Sequence, residues 1–100
     1  MLKPVEFLRS ALNDLRAEKA YYRTISPELA ERFQAEVEVA TKAIATQPLA
    51  MQLLEFNVRR WPVNGFPHGV LYRVEESVVL VLAIFHPKQD PAKWHLQASI

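Results

Sequence analysis

The run Val78 to Phe85, VVLVLAIF, constrains this chain more than any other segment. A β-branched-rich and nearly continuous apolar stretch of this length is a strand that leaves water on both faces. It must therefore lie centrally in a sheet, with other elements covering it. It is far too short to cross a bilayer. The rest of the sequence has to supply its neighbours and its cover.

The first half supplies helices. Val5 to Leu8 is a short strand candidate. Leu8, Leu12, Leu15, Lys19 and Tyr22 then recur at three- and four-residue spacing, one helical stripe, with Ser10 as its expected N-cap. Ser26-Pro27-Glu28 marks a second start: a capping hydroxyl, a proline at the first helical position and an acid at the positive end of the dipole. The second helix carries Leu29, Phe33, Val37, Ala40 and Ile44 on its apolar face. Glu28 with Arg32 and Glu38 with Lys42 are four-apart pairs suited to solvent, and Gln47-Pro48 ends the helix. At about 20 residues it should be roughly 30 Å long. The short link between the helices predicts an antiparallel hairpin.

After an apolar connector, Pro48 to Leu54, the period becomes two. Phe56, Val58 and Arg60 take one face, Asn57, Arg59 and Trp61 the other. Asn64-Gly65 is expected to supply the positive φ angles of a tight reversal. Val70, Tyr72 and Val74 alternate next, and Glu75-Glu76-Ser77 turns the chain into Val78 to Phe85. The reading is one α+β domain over residues 1–100, an N-terminal strand and an antiparallel helical hairpin packed on a C-terminal antiparallel sheet, β-α-α-β-β-β. Phe33, Val37, Tyr72 and Leu82 are expected to share its core.

Composition removes whole classes of function. The chain has no cysteine, which excludes disulfides, thiolate metal sites and a cysteine nucleophile and points to a reducing, cytoplasmic setting. MLKPVEFLRS has no apolar core of signal-peptide length, and no membrane segment is expected. Only two glycines occur, so neither GxxxxGK[ST] nor GxGxxG is present, and no cofactor or small-molecule substrate is expected. Net charge is +1, little for a domain that holds nucleic acid by its phosphates. Residues 51–100 hold five Lys/Arg against four Asp/Glu and all three histidines, so chemistry is expected there.

Arg59 and Arg60 are adjacent on a strand, so period two sends them to opposite faces and they cannot form one clamp. Arg60 reads as a rim residue whose guanidinium reaches water or a carboxylate, and Arg59 is the stronger functional candidate. The histidine spacings place no two on one helical face and HExxH is absent, so no metal is expected. His86 closes the central strand, where rigid backbone orients an exposed group, and Trp94 is expected to pack the tail onto the sheet.

Asp14-Leu15, Tyr21-Tyr22, Phe33, VRRWPVNGFPHGVLYRV and VLVLAIFHPKQDPAKW together resemble the RelE/ParE superfamily of bacterial toxins from type II toxin-antitoxin modules. The resemblance implies a helical hairpin on a twisted antiparallel sheet and neutralisation by a cognate antitoxin. It implies one of two targets: ParE-like members inhibit DNA gyrase by protein contact, whereas RelE-like members are metal-independent endoribonucleases that cut mRNA on the ribosome. As a nuclease the chain would rely on Arg59, Arg73, His86, Lys88 and His95. As a protein-binding toxin it would use Arg59, Trp61, His86, Lys88 and Trp94. Gly69 stands where nuclease members tend to carry an arginine, and Trp94 where they carry a tail tyrosine that can transfer a proton. Gln89 replaces a basic residue common in ParE-like tails, and Leu96 to Ile100 lacks their closing arginine. The expectation is a ParE-like plasmid-stabilisation toxin, with a RelE-like nuclease as the alternative and a relic that only binds antitoxin as a third reading.

Overall fold

A computed structural model describes residues 2–98. The elements are β1 (Val5–Phe7), α1 (Arg9–Ile25), α2 (Pro27–Thr46), a 3-10 turn (Glu55–Asn57), β2 (Val58–Pro62), β3 (Gly69–Val74), β4 (Val79–Phe85) and α3 (Ala92–Ala98). The sheet order is β1-β4-β3-β2, with β1 parallel to β4 and the other pairs antiparallel. The α+β arrangement expected from the sequence is present, with α3 added at its end. Among the described residues no helix is long and apolar enough to cross a membrane.

β4 lies between β1 and β3, and Val79, Val81, Leu82, Ala83 and Ile84 are all buried, as its composition requires. The hairpin covers one face: Ala11, Phe33, Val37, Ala40 and Ile44 meet Val70, Tyr72, Val79, Val81 and Ile84. The opposite face packs Val58, Leu71, Leu82 and Ala83 under Trp94 and Ala98 of α3. Leu82 is therefore not in the core of Phe33, Val37 and Tyr72. Alternation after Val79 and Val81 turns it to the α3 side, and a bulge follows: Leu71 pairs with Ala83 but Tyr72 with Val81, so Leu82 is skipped and Ala83 shares its side.

β1 pairs only Val5 to Phe7 with Val79 to Val81, which leaves the edge of β4 open beyond that point. The start of α1 closes it. Leu8 N–H donates to Val81 O at 2.9 Å, Ser10 Oγ donates to Leu82 O at 2.8 Å, and Ile84 N–H donates to Asp14 Oδ2 at 3.1 Å. This explains why Ser10 is not the cap: α1 begins at Arg9 behind Leu8, which gives no side-chain bond, because the Ser10 hydroxyl serves the sheet. Ser26 does cap α2, accepting from Leu29 N–H at 3.0 Å, with Pro27 in the first turn.

Three local expectations need correction. β2 starts at Val58 instead of Phe56, because Phe56 and Asn57 adopt left-handed φ of 58° and 60° and break the alternation. In the β2–β3 loop only Gly65 has positive φ, 82°, so Asn64-Gly65 is not a two-residue hairpin turn. The loop closes instead through Phe66 N–H to Val63 O and Val63 N–H to His68 O, both 3.0 Å. Finally, Asp90-Pro91 starts a helix where only a packed tail was expected: Asp90 Oδ1 accepts from Ala92 N–H at 3.0 Å, the capping logic of Ser26-Pro27 repeated. Ser99 and Ile100, the end of that tail, lie outside the described residues.

Phe33 is fully buried, with ring centroids of Tyr22 and Phe66 at 5.3 and 5.0 Å. Phe33→Ala should cost about 3–5 kcal/mol and lower the melting temperature by about 10 °C or more. A mutant melting within a degree or two of the parent chain would contradict the assigned face of α2.

Candidate functional site

Arg59 and Tyr72 sit opposite each other on β2 and β3, on the hairpin side of the sheet. Arg59 Nη1 donates to Met51 O at 2.5 Å, and the Tyr72 hydroxyl donates to Pro48 O at 2.8 Å. The two side chains clip the connector to the sheet. Arg73, on the α3 side, donates from Nε and Nη2 to Phe56 O at 3.2 and 3.0 Å, and from Nη2 to Ala98 O. It ties the left-handed corner to the end of α3. Arg59 and Arg73 both border a cleft of about 240 Å³ that Leu49, Leu53, Asn57, Val74 and Glu75 complete.

The other candidates lie elsewhere. His86 follows β4, where Phe85 pairs with Gly69, while Val79 and Val74 pair at the far end near Arg73. Five strand steps separate those ends, roughly 17 Å. His86 N–H donates to Gln89 Oε1 at 3.0 Å, and its Nδ1 accepts from Lys88 N–H at 2.9 Å. Gln89 is therefore a turn-closing side chain. Lys88 is exposed. His95 lies on α3, its ring 5.3 Å from Phe56 and its Nε2 3.7 Å from Glu55 Oε2. Trp94 is buried against the sheet, and Trp61 packs half-buried beside the hairpin core. The arginines, His86, Lys88 and His95 thus form no single constellation. Among the described residues no cluster of three or more His, Asp or Glu side chains is arranged to hold a metal ion.

Sequence reasoning missed the polar group that does assemble. His68 is fully buried, and its Nε2 stands 3.1 Å from Glu18 Oε2 without the alignment of a good N–H···O bond. Its Nδ1 has no partner. The rings of Phe33, His86, Tyr22 and Phe66 surround it with centroids at 4.9, 4.9, 6.0 and 6.5 Å. Burial pushes the imidazole below its ordinary pKa; Glu18 pulls it back up, while His86 and Arg60 push it further down. The signal for this meeting was the hairpin register: with Gly69 opposite Phe85, residues 68 and 86 also face each other.

Arg60 accounts for Gly69. It neither reaches a carboxylate nor simply points to water: its stem crosses the β3 backbone, and Nη2 donates to Pro67 O at 3.0 Å. A Cβ on Gly69 would fall 2.3 Å from Arg60 Nε and 2.6 Å from its Cγ. The space an arginine at 69 would enter is already filled by an arginine from the next strand.

A different surface combines an apolar groove with a row of charges. Where α1 and α2 pass over β1, a groove of about 350 Å³ has Phe7, Leu12, Leu15 and Val37 as its apolar lining and Gln34, Glu38, Thr41 and Lys42 along the α2 side. On the α1 side, Arg9, Leu12, Arg16, Lys19 and Arg23 share one stripe at three- and four-residue spacing. Both carboxylates of α1, Asp14 and Glu18, point the other way, to Ile84 N–H and His68. The outward stripe is left uniformly cationic. A second apolar patch, Leu49, Leu53, Leu54 and Phe56, stays exposed along the connector.

Gly69→Ala should displace the Arg60 side chain and destabilise the domain by about 1–3 kcal/mol through overpacking. The double change with Arg60→Ala should recover most of that loss in a double-mutant cycle of melting curves. Strictly additive effects would show that the close approach does not matter.

The chain can now be set beside known proteins. A family model described as the ParE toxin of type II toxin-antitoxin system, parDE, matches residues 5–91, from β1 through the turn after β4. Among curated protein sequences none matches. Among solved structures, the chromosomal ParDE system of P. aeruginosa superposes with a TM-score of 0.76 at 22% identity, over 85% of this chain and 96% of that one. A mutant of the E. coli toxin RelE in the free state gives 0.72 at 14% identity, over 99% of this chain and 96% of that one. The toxin-antitoxin complex RelBE2 of Mycobacterium tuberculosis gives 0.55 at 21% identity, over 86% and 99%. These structures share the fold; the family model, which spans most of the sequence, shows that the chain belongs to the ParE toxin family of type II toxin-antitoxin systems.

Proposed function

We propose that this toxin acts in the cytoplasm of a bacterium by gripping a protein target, DNA gyrase, and that a cognate antitoxin neutralises it. One observation carries the choice of target. The two arginines that a ribonuclease site would use are occupied with backbone carbonyls, Arg59 with Met51 O and Arg73 with Phe56 O and Ala98 O, and His86, Lys88 and His95 lie apart from them. Stabilising a phosphorane requires donors aimed at one point and free to serve it. Arg59 and Arg73 come from opposite faces of the sheet to the rim of one cleft, but their donors are turned to carbonyls of their own chain. Protein contact asks for exposed apolar and charged side chains on a rigid frame, which Leu49, Leu53, Leu54, Phe56 and Lys88 offer.

The antitoxin reading draws on the P. aeruginosa and M. tuberculosis structures, which are a toxin-antitoxin system and a toxin-antitoxin complex. On this chain the groove beside α1 fits an amphipathic acidic segment. Its apolar side chains would enter between Leu12, Leu15 and Val37, and its carboxylates would face Arg9 and Arg16. Such a segment folds on its partner and gains specificity from the charge match.

Two measurements test this. Added toxin should inhibit gyrase supercoiling and leave ribosome-bound message uncut in a primer-extension map. Discrete cuts in translating message, lost in His86→Ala, with supercoiling untouched, would favour the RelE-like nuclease. Inertness in both assays together with tight antitoxin binding would leave only the relic. For the groove, Leu12→Asp with Arg16→Glu should weaken binding of the antitoxin encoded beside the toxin by about 2 kcal/mol or more, roughly thirtyfold, in calorimetry. Unchanged affinity in a normally folded variant would move the antitoxin to another face.

A further inference from the structure

Ionisable side chains meet inside the fold where β3 begins and β4 ends. His68 is enclosed there by Glu18 and Tyr22 of α1, Phe33 of α2, Arg60 of β2, Phe66 of the loop and His86. Of the charged or titratable neighbours, Glu18 alone favours a proton on His68; His86 and Arg60 oppose it. On the other side of His86, Lys88 follows in the same turn, and Lys93 of α3 is held 3.5 Å from Asp14 of α1.

His86 has a specific commitment. Its Nδ1 accepts the Lys88 N–H, so that nitrogen carries a lone pair in the closed turn. A proton there would set a donor against a donor. The chain beyond leaves from this turn, and α3, with only seven residues, keeps its shape through its seat on the sheet and its ties to Arg73 and Asp14.

We propose that His68 and His86 form a proton-sensitive latch, closed when both imidazoles are neutral, which holds the segment from Pro87 through α3 against the sheet and releases it on protonation. Two effects act together. Protonating His86 removes the acceptor for Lys88 N–H. Protonating His68 puts a buried cation beside a second imidazole 4.9 Å away, where two charges repel, and Glu18 at 3.1 Å offsets this only in part because burial outweighs it. Release would uncover Val58, Leu71, Leu82 and Ala83, the face beneath Trp94.

The direction with pH follows from burial. His68 is held below its ordinary pKa, so the open or unfolded chain binds the proton more readily. The stabilising contribution is complete above about pH 6.5, the value of a free imidazole, and is lost as pH falls through the lower folded value.

Amide hydrogen exchange by NMR on the full chain tests the latch, at about pH 7.5 and about pH 5.5 and corrected for intrinsic rates. The amides of Lys88, Gln89, Lys93 and His95 donate to His86 Nδ1, His86 O, Asp90 O and Pro91 O. They should lose about tenfold in protection at the lower pH, while Val37 and Ala40 of α2 keep theirs. His86→Gln should remove this response, and His68→Phe, which refills the box with an apolar ring, should reduce it. Tail protection that is constant with pH, that falls in step with α2, or that still falls in both variants would overturn the proposal.

Discussion

The rest of the structure depends on a mismatch of lengths: β1 offers three residues to a β4 of seven. Unpaired backbone groups inside a domain are costly, so the exposed end of β4 needs partners that a strand does not provide. Ser10 and Asp14 supply them from α1. That choice fixes the rotation of the helix. With Asp14 on the sheet edge, Glu18 one turn later must approach His68, and Arg9, Arg16 and Arg23 must face outward. Burial raises the Asp14 pKa, while the Ile84 N–H and Lys93 favour its carboxylate. One carboxylate thereby joins α1, β4 and α3.

The arginines show how little residue type says about role. Arg59 and Arg73, which the sequence offered to a phosphate, and Arg60, which it placed at the rim, all act here as fasteners, each gripping a carbonyl of a segment without regular strand pairing. A guanidinium suits this use because it is always charged and presents several donors in a fixed plane. Arg59 serves the connector, Arg60 the loop before β3, and Arg73 both the left-handed corner and the end of α3. Long irregular segments can stay ordered in a small domain when each is tied in this way.

What could be read in advance follows the range of the physics involved. Ser26-Pro27 and VVLVLAIF report through nearest neighbours, so the start of α2 and the centrality of β4 were visible. Asp90-Pro91 carried the same local signal for α3 and was read only as a tail, because seven residues hold too few periodic positions to show a face. Ser10 was misassigned because its hydroxyl answers to Leu82, 72 residues away. Phe56 adopts a left-handed conformation that its residue type does not announce, although Asn57 beside it is a residue that tolerates one. His68 was overlooked because its importance comes from register across a hairpin and from α1 above it, and neither is written in local spacing. Of the candidate site, the opposite facing of Arg59 and Arg60 followed from period two, whereas the partners that occupy them did not.

The bulge at Leu82 bears on how such a chain can change over generations. A descendant lacking that one residue would keep regular alternation, with Val79, Val81 and Ile84 still turned to the hairpin and Val70 still opposite Ile84. It would lose only a side chain beneath Trp94. A length change inside the most buried strand would therefore leave the hairpin core intact and weaken the seat of α3, so that the central strand can drift in length while the grip on the terminal helix is tuned separately from the stability of the domain.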